Sequence, residues 1–271
     1  MKKLKIFFRS PMGTTFLFML AILFLMTGTI GGVRAAPQIF NREFFYGGLE
    51  LDEIGVTLLE NGERVHSRDY NKEKQIFDLW SNDEDNQEKG KLLGTLLTDT
   101  NNKAKLGYSY KEELSVKNSG KIPEYVRVIV YKYWIDDATQ KRIQAYDDNG
   151  DEVLNDLIKL EFVENNGWII DKSSNTKERT VLYYQTMLDT NSDSNTTPPF
   201  TSTLTIDGKI IDYADKKTIT DGNTVTWIMD GKRFVIEAEV DAVQNHNARA
   251  AVKSAWGLTN DDISRLKLDI E

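Results

Sequence analysis

The residues able to do chemistry are few. The chain holds two histidines, His66 and His246, and no cysteine. Cysteine nucleophiles, thiolate zinc sites and iron–sulfur clusters are thereby excluded. A His-Glu-x-x-His zinc helix is absent. A serine triad needs a histidine beside a buried acid. His246 stands instead between Asn245 and Asn247 at a predicted helix start, and reads as an exposed loop residue. The chain has 42 acidic residues, but a glycosidase pair is defined by separation in space and not by spacing in sequence. A solvated acidic surface explains them. There is no Gly-rich phosphate loop. The sequence therefore assigns no catalytic residue, no resident cofactor and no metal ligand.

Two stretches alternate acids and amides as calcium loops do: Asp147, Asn149 and Asp151, then Asp189, Asn191, Asp193 and Asn195. An EF-hand needs Gly at its sixth position and Glu at its twelfth. The first stretch has Glu152 and Ile158 there, and the second has Ser194 and Phe200. Solvated Asx turns are the expected reading, with calcium the one cation these loops would take.

The elements that would position any site are strands. In residues 112–134, EELSVKNSGKIPEYVRVIVYKYW, Val126, Val128 and Val130 share one face while Arg127, Ile129 and Tyr131 share the other. Asn118, Ser119, Gly120 and Pro123 supply the turn ahead of them. Near the C-terminus Phe234, Ile236, Ala238, Val240 and Ala242 alternate with Glu237, Glu239 and Asp241. Period two with one apolar face predicts antiparallel sheet with one face to a core and one to water. Further strands are predicted at 106–117, 158–163, 168–170, 180–188, 201–206, 209–211 and 224–229. Asn61-Gly62, Asp207-Gly208 and Asp230-Gly231 each separate apolar runs and predict hairpins. A short helix is expected around Gln75 to Trp80, inside an irregular surface insertion at about 72–105. A second helix is expected after Asn247, its cap, ending at Gly257. Ala248, Ala251, Val252 and Ala255 form its buried stripe. The fold class is all-β: an antiparallel β-sandwich with one short C-terminal helix. Periodicity does not separate a jelly roll from an immunoglobulin-like sandwich.

Residues 1–35 read as a signal peptide. Lys2, Lys3, Lys5 and Arg9 precede the apolar run Phe16 to Met26, and Val33-Arg34-Ala35 fits a signal-peptidase site cutting near Ala35 and Ala36. The competing reading is a retained membrane anchor, for which the run is short. Those 35 residues hold five of the 34 bases and no acid, so the rest carries 29 bases against 42 acids, a net of −13. Such a surface disfavours nucleic acid and anionic membranes as partners. The domain would span 36–257, with 258–271 as a polar tail.

Two blocks, VKNSGKIPEYVRV at 116–128 and IEAEVDAVQNHNARAAVKSAWG at 236–257, resemble the signature blocks of the TasA/camelysin-like secreted proteins of Gram-positive bacteria. These are exported with a SipW-type signal peptide. The resemblance implies a jelly-roll sandwich outside the cell or on its surface. It also implies self-assembly or association with related matrix proteins. The function it points to is a non-enzymatic structural or accessory part of a biofilm matrix or surface fibre. Camelysin-type relatives are labelled metallopeptidases, but no zinc-ligand spacing here matches. Alternatives are a secreted peptidase or other hydrolase, or a monomeric adhesin or carbohydrate-binding module using Trp80, Trp168 or Trp227. In fibre-forming relatives the N-terminal segment inserts as a strand into the next subunit. Here Ile39, Phe40, Phe44 and Phe45 would fill that role, unless they form the protein's own first strand. Gly47-Gly48 would hinge the segment.

Overall fold

The computed structural model describes residues 53–94, 96–97, 104–146, 149–191, 194–213, 215–218, 225–228 and 231–270. The chain forms a two-layer antiparallel sandwich with helices on one outer face. In the first layer β1 (Gly55–Glu60), β2 (Glu63–Asn71), β3 (Ile76–Ser81) and a later strand, β5 (Leu114–Asn118), lie in the order β3-β2-β1-β5. A second set follows, in the order β4 (Ser109–Lys111), β11 (Thr201–Ile206) and β8 (Ile158–Phe162). Only Glu112 and Glu113 separate β4 from β5. Glu112 N–H donates to the Ser202 carbonyl at 2.9 Å and Phe200 N–H to the Leu114 carbonyl at 2.8 Å. These bonds join the two sets into one continuous layer.

The second layer is β14 (Lys232–Gln244), β6 (Glu124–Asp136), β10 (Arg179–Tyr184) and β9 (Trp168–Ile170), in that order, with β7 (Arg142–Ile143) also pairing β6. β12 (Asp215–Thr218) and β13 (Val225–Ile228) pair with each other. Between the layers sit Val116, Val126, Val128, Val130, Leu160, Leu182, Leu204 and their neighbours, all buried. The valines of β6 face inward as their period requires. Trp168 is fully buried between Tyr184 and Phe200, both rings at 5.2 Å, and its indole N–H donates to the Pro198 carbonyl.

The opposite face of β6 is not left to water. Tyr125, Ile129, Val181, Tyr183 and Val243 pack there under α1 (Ala248–Trp256) and α2 (Asn260–Arg265). Leu258, Ile263, Leu266, Leu268 and Ile270, expected in a polar tail, are buried in this second core. Thr259 caps α2 in a full capping box with Asp262. Asp171 receives Arg265 at 2.9 Å and the Ser173 and Ser174 hydroxyls, tying α2 to the turn after β9. The sequence predicts neither α2 nor this third layer. α1 ends at Gly257 in the left-handed region as expected, but Asn247 precedes it without a side-chain cap bond.

Other local expectations meet mixed fates. Asn61 and Gly62 both have positive φ, 51° and 88°, and close the β1–β2 hairpin in a primed turn. Asp207-Gly208 does not make a hairpin. Gly208–Tyr213 is a 3₁₀ helix instead, begun by the Lys209 N–H on the Asp207 carboxylate, and it lowers Ile210 into the core. Among the described residues β13 pairs with β12 and β14 with β6, and Asp230, expected in a hairpin turn, lies outside the described residues. The helix expected around Gln75 to Trp80 is the strand β3. Cross-strand pairing with β2 puts Arg68 over Phe77 and Arg64 over Trp80, both at 4.3 Å. No helix among the described residues is long and apolar enough to cross a membrane.

Residues 116–128 build a junction between the layers. β5 and β6 lie in opposite sheets, so 119–123 is an arch and not a hairpin turn. Asn118 holds it: its amide donates to the Ile122 and Leu188 carbonyls, and its oxygen accepts the Gly120 N–H. Gly120 lies against the backbone of Glu53 and Gly55, where a Cβ would stand 2.4 Å from the Glu53 carbonyl oxygen. Only glycine fits.

Candidate functional site

β14 is a 13-residue strand with β6 on one side and no strand on the other among the described residues. Two flanking bonds set the phase of its backbone. Asn245 N–H donates to the Pro123 carbonyl and Asp137 N–H to the Gly231 carbonyl. Odd-numbered residues of β14 therefore bond to β6. On the even-numbered ones, Phe234 through Gln244, the N–H and C=O point out of the sheet. The side chains of Phe234, Ile236, Ala238, Val240 and Ala242 pack against the main core.

The facing layer overhangs this edge. β14 packs beneath β1, and the chain continues past β1 into β2 and β3. Arg68 and Leu79 lie on the same sheet face as Val56, which packs against the core. Yet Leu79 is 40% exposed, and Tyr70 and Phe77 on that face are incompletely covered. Arg68 feels the Asp241 carboxylate on β14, while burial pulls its pKa down. The outward backbone donors and acceptors of β14 and the half-exposed apolar side chains of β2 and β3 thus border one edge of the sandwich. At its outer side Glu237, Glu239 and Asp241 run along β14. Burial first, and then the Asp241 and Glu237 charges, push Glu239 up to about 7. Asp241 is held by Arg127.

A second unusual group lies inside. Glu112 and Glu124 are fully buried, and among the described residues no N–H or hydroxyl donor is bonded to their carboxyl oxygens. Burial is the main reason Glu112 is pushed up to about 9, with the neighbouring Glu60 carboxyl adding to it. Glu124 is likewise raised to about 9, by burial first. The Gly55 backbone N–H opposes the shift without closing a hydrogen bond, and Asp69 adds to it. Both acids are neutral at pH 7.

The residues singled out from sequence are scattered. Ile39, Phe40, Phe44 and Phe45, and the cleavage positions Ala35 and Ala36, lie outside the described residues. His66 is on β2, its Nε2 3.3 Å from the Gln87 carbonyl, and burial lowers its pKa. His246 is exposed in the loop after β14. The Asp189 carboxylate is taken up locally by the Thr190 N–H and the Asn191 amide. Asp147 and Asp193 lie outside the described residues. Among the described residues no group of three or more acids and histidines is placed to hold a metal ion. Of the three tryptophans proposed as binding platforms, Trp168 is core, Trp80 is 39% exposed beneath Arg64, and Trp227 stands on β13. A shallow polar cleft on the outer face of β1 and β2 is lined by Thr57, Arg64, Asp69, Lys117, Ser119 and Thr196. Its charges are internally engaged, with Ser119 bonded to Asp69 and Arg64 to Ser67.

No family model, curated protein or solved structure matches this chain. Sequence reasoning missed the buried acids because acids default to the surface. The available signal was Glu124, set between Pro123 and the Tyr125-Val126 start of the most apolar strand.

Proposed function

We propose that the protein is a secreted, non-enzymatic structural or accessory component of an extracellular matrix or surface fibre, joined subunit to subunit by strand addition at the outer edge of β14. The observation that carries this reading is the edge of β14, which pairs with β6 alone among the described residues. A 13-residue edge unpaired among the described residues and lying beside half-exposed apolar side chains is a standing template for another strand. The segment proposed to fill it is 36–46, with Ile39, Phe40, Phe44 and Phe45 as the anchors. Burying four large side chains contributes about 6–12 kcal/mol gross, enough to hold a contact after ordering costs. Signal cleavage near Ala35 would free the segment, so export and assembly would be coupled.

The test compares chains starting at Ala36 and at Gly48 by sedimentation and electron microscopy. The longer chain is expected to form polymers. The shorter one is expected to stay folded and monomeric. Ala242→Pro in the longer chain removes one outward N–H and leaves the β6 ladder intact, so it should fold and fail to polymerise. Unfolding of the Gly48 chain would mean that the segment is the protein's own first strand. Monomers of the Ala36 chain at every concentration would end the fibre reading.

A further inference from the structure

We infer that the Glu60–Glu112 carboxyl pair is a proton-held latch, which fastens the 82–94 loop to the rim of the sandwich and releases it in alkaline medium. The inference is independent of how subunits join. Glu60 ends β1 and pairs in register with Leu114, so both point to the core face. Glu112 sits in the short break between β4 and β5 and is fully buried. The two carboxyls adjoin, and both Glu112 oxygens lack any other donor. Two carboxylates cannot hydrogen-bond each other unless one carries a proton. A shared proton therefore satisfies the pair, and its loss leaves two anions side by side in a dry site.

The other end of the latch is Leu93. Its N–H donates to Glu60 Oε1 at 2.6 Å. Leu93 has φ of 63°, a left-handed conformation that a leucine adopts only when held there. With Leu92 it packs against the main core. The remaining ties of the loop do not depend on a carboxyl proton. Ser81 Oγ donates to the Lys89 carbonyl, Asn82 exchanges two bonds with the Lys91 backbone, and His66 meets the Gln87 carbonyl. Ionisation would thus strike one point, under Leu92 and Leu93.

The groups facing the pair do not offset that charge. From β1 comes Glu60 itself. From β11 comes the Thr201 hydroxyl, which donates to the Glu112 backbone carbonyl and not to its carboxyl. From the β1–β2 turn comes the Asn61 side chain, occupied by the Lys111 carbonyl and the Glu113 N–H. Lys111 and Glu113 pair with each other at 2.9 Å on the surface. Among the described residues no cation pairs with Glu60 or Glu112. Burial raises both acids, and for Glu112 the Glu60 charge adds to it. The proton is therefore held at neutral pH and lost toward pH 9. Water must then reach the pair, and Leu92 and Leu93, which are only partly buried and held there by the Glu60 bond, are the residues that would give way.

The experiment is hydrogen exchange at the Leu93 amide in the purified secreted chain, expressed as a protection factor between pH 6 and pH 9.5. A β6 amide such as Val128 serves as the reference for global opening. Leu93 protection is expected to fall by about tenfold or more across this range while Val128 keeps its own. Glu112→Gln, which needs no proton to donate to Glu60, should hold Leu93 protection flat. Carbon-13 titration of the glutamate carboxyls in the unmutated chain needs no variant. It should show a coupled pair with one member titrating far above the usual range. Overturning results are unchanged Leu93 protection, an equal fall in Glu112→Gln, or glutamates that all titrate near 4–5. Added calcium that restores protection in the unmutated chain, and not in the variant, would also overturn the latch by making the pair a cation site.

Discussion

Glu124→Gln is the sharpest test of the buried acids as determinants of stability. The carboxyl is fully buried at the start of β6 with no donor bonded to either oxygen among the described residues. Its pKa is raised from 4.5 to about 9, by burial first and by Asp69 in addition. The folded pKa lies above the unfolded one, so between these values the folded state keeps a proton that the unfolded state has released. Stability from this group is whole below pH 4.5 and is lost as pH rises to about 9, with no further change beyond. One pKa unit is worth 1.36 kcal/mol, so moving from pH 5 to pH 8 should cost about 4 kcal/mol at most. That is a large part of a typical 5–15 kcal/mol total. Glu112 acts in the same window. Urea unfolding at pH 5, 6.5 and 8 measures it. The unmutated chain should lose stability steadily, and Glu124→Gln should lose distinctly less, making the variant the more stable protein at pH 8. Equal slopes for the two proteins, or stability that climbs from pH 5 to 8, would show that Glu124 is ionised in the fold.

Other consequences follow from the same structure. Burial would raise Asp171, but the hydrogen bonds from Ser173, Arg265 and Ser174 outweigh it and hold the carboxyl at about 2. Asp171→Asn should therefore cost about 2 kcal/mol at pH 7, a cost that fades in acid as pH falls from 4 toward 2, measurable as a difference in urea midpoint. A chain ending at Gly257 loses five buried aliphatic side chains, about 8–15 kcal/mol gross, and should fail to give a cooperative thermal transition. Gly120→Ala forces a Cβ to within 2.4 Å of the Glu53 carbonyl oxygen and should cost about 3 kcal/mol or more, read from thermal melting.

The strands that the eye finds first in the sequence are those whose two faces differ. β6 and β14 are legible because valines and alanines alternate with charged or larger residues, and Asn61-Gly62 is legible because a primed turn needs both residues at positive φ. Asp207-Gly208 carries the same letters, yet Gly208 does not take a positive φ and Ile210 is needed in the core. The dipeptide alone does not say which demand wins. Ile76, Phe77, Leu79 and Trp80 fit a helical spacing as well as a strand. Pairing across to β2, which is invisible locally, decides it. The 258–270 segment looked polar because its five aliphatics are spaced among charges, but a capping box and a seat on the outer face of β6 put all five inside. The edge position of β14 could not be read at all, since it depends on which strand ends a sheet and how far the opposite layer extends.

The absence of cysteine makes the central claim directly testable by cross-linking. Two chains starting at Ala36 would be prepared, one carrying Phe44→Cys and the other Ala242→Cys, mixed under assembly conditions and oxidised. Strand addition at β14 predicts a mixed disulfide dimer joining one chain's N-terminal segment to the other's edge, formed in preference to either homodimer and abolished by Ala242→Cys chains unfolded before mixing. The contradicting result is a double variant, Phe44→Cys with Ala242→Cys, that closes the disulfide within a single chain while the mixed single variants form none.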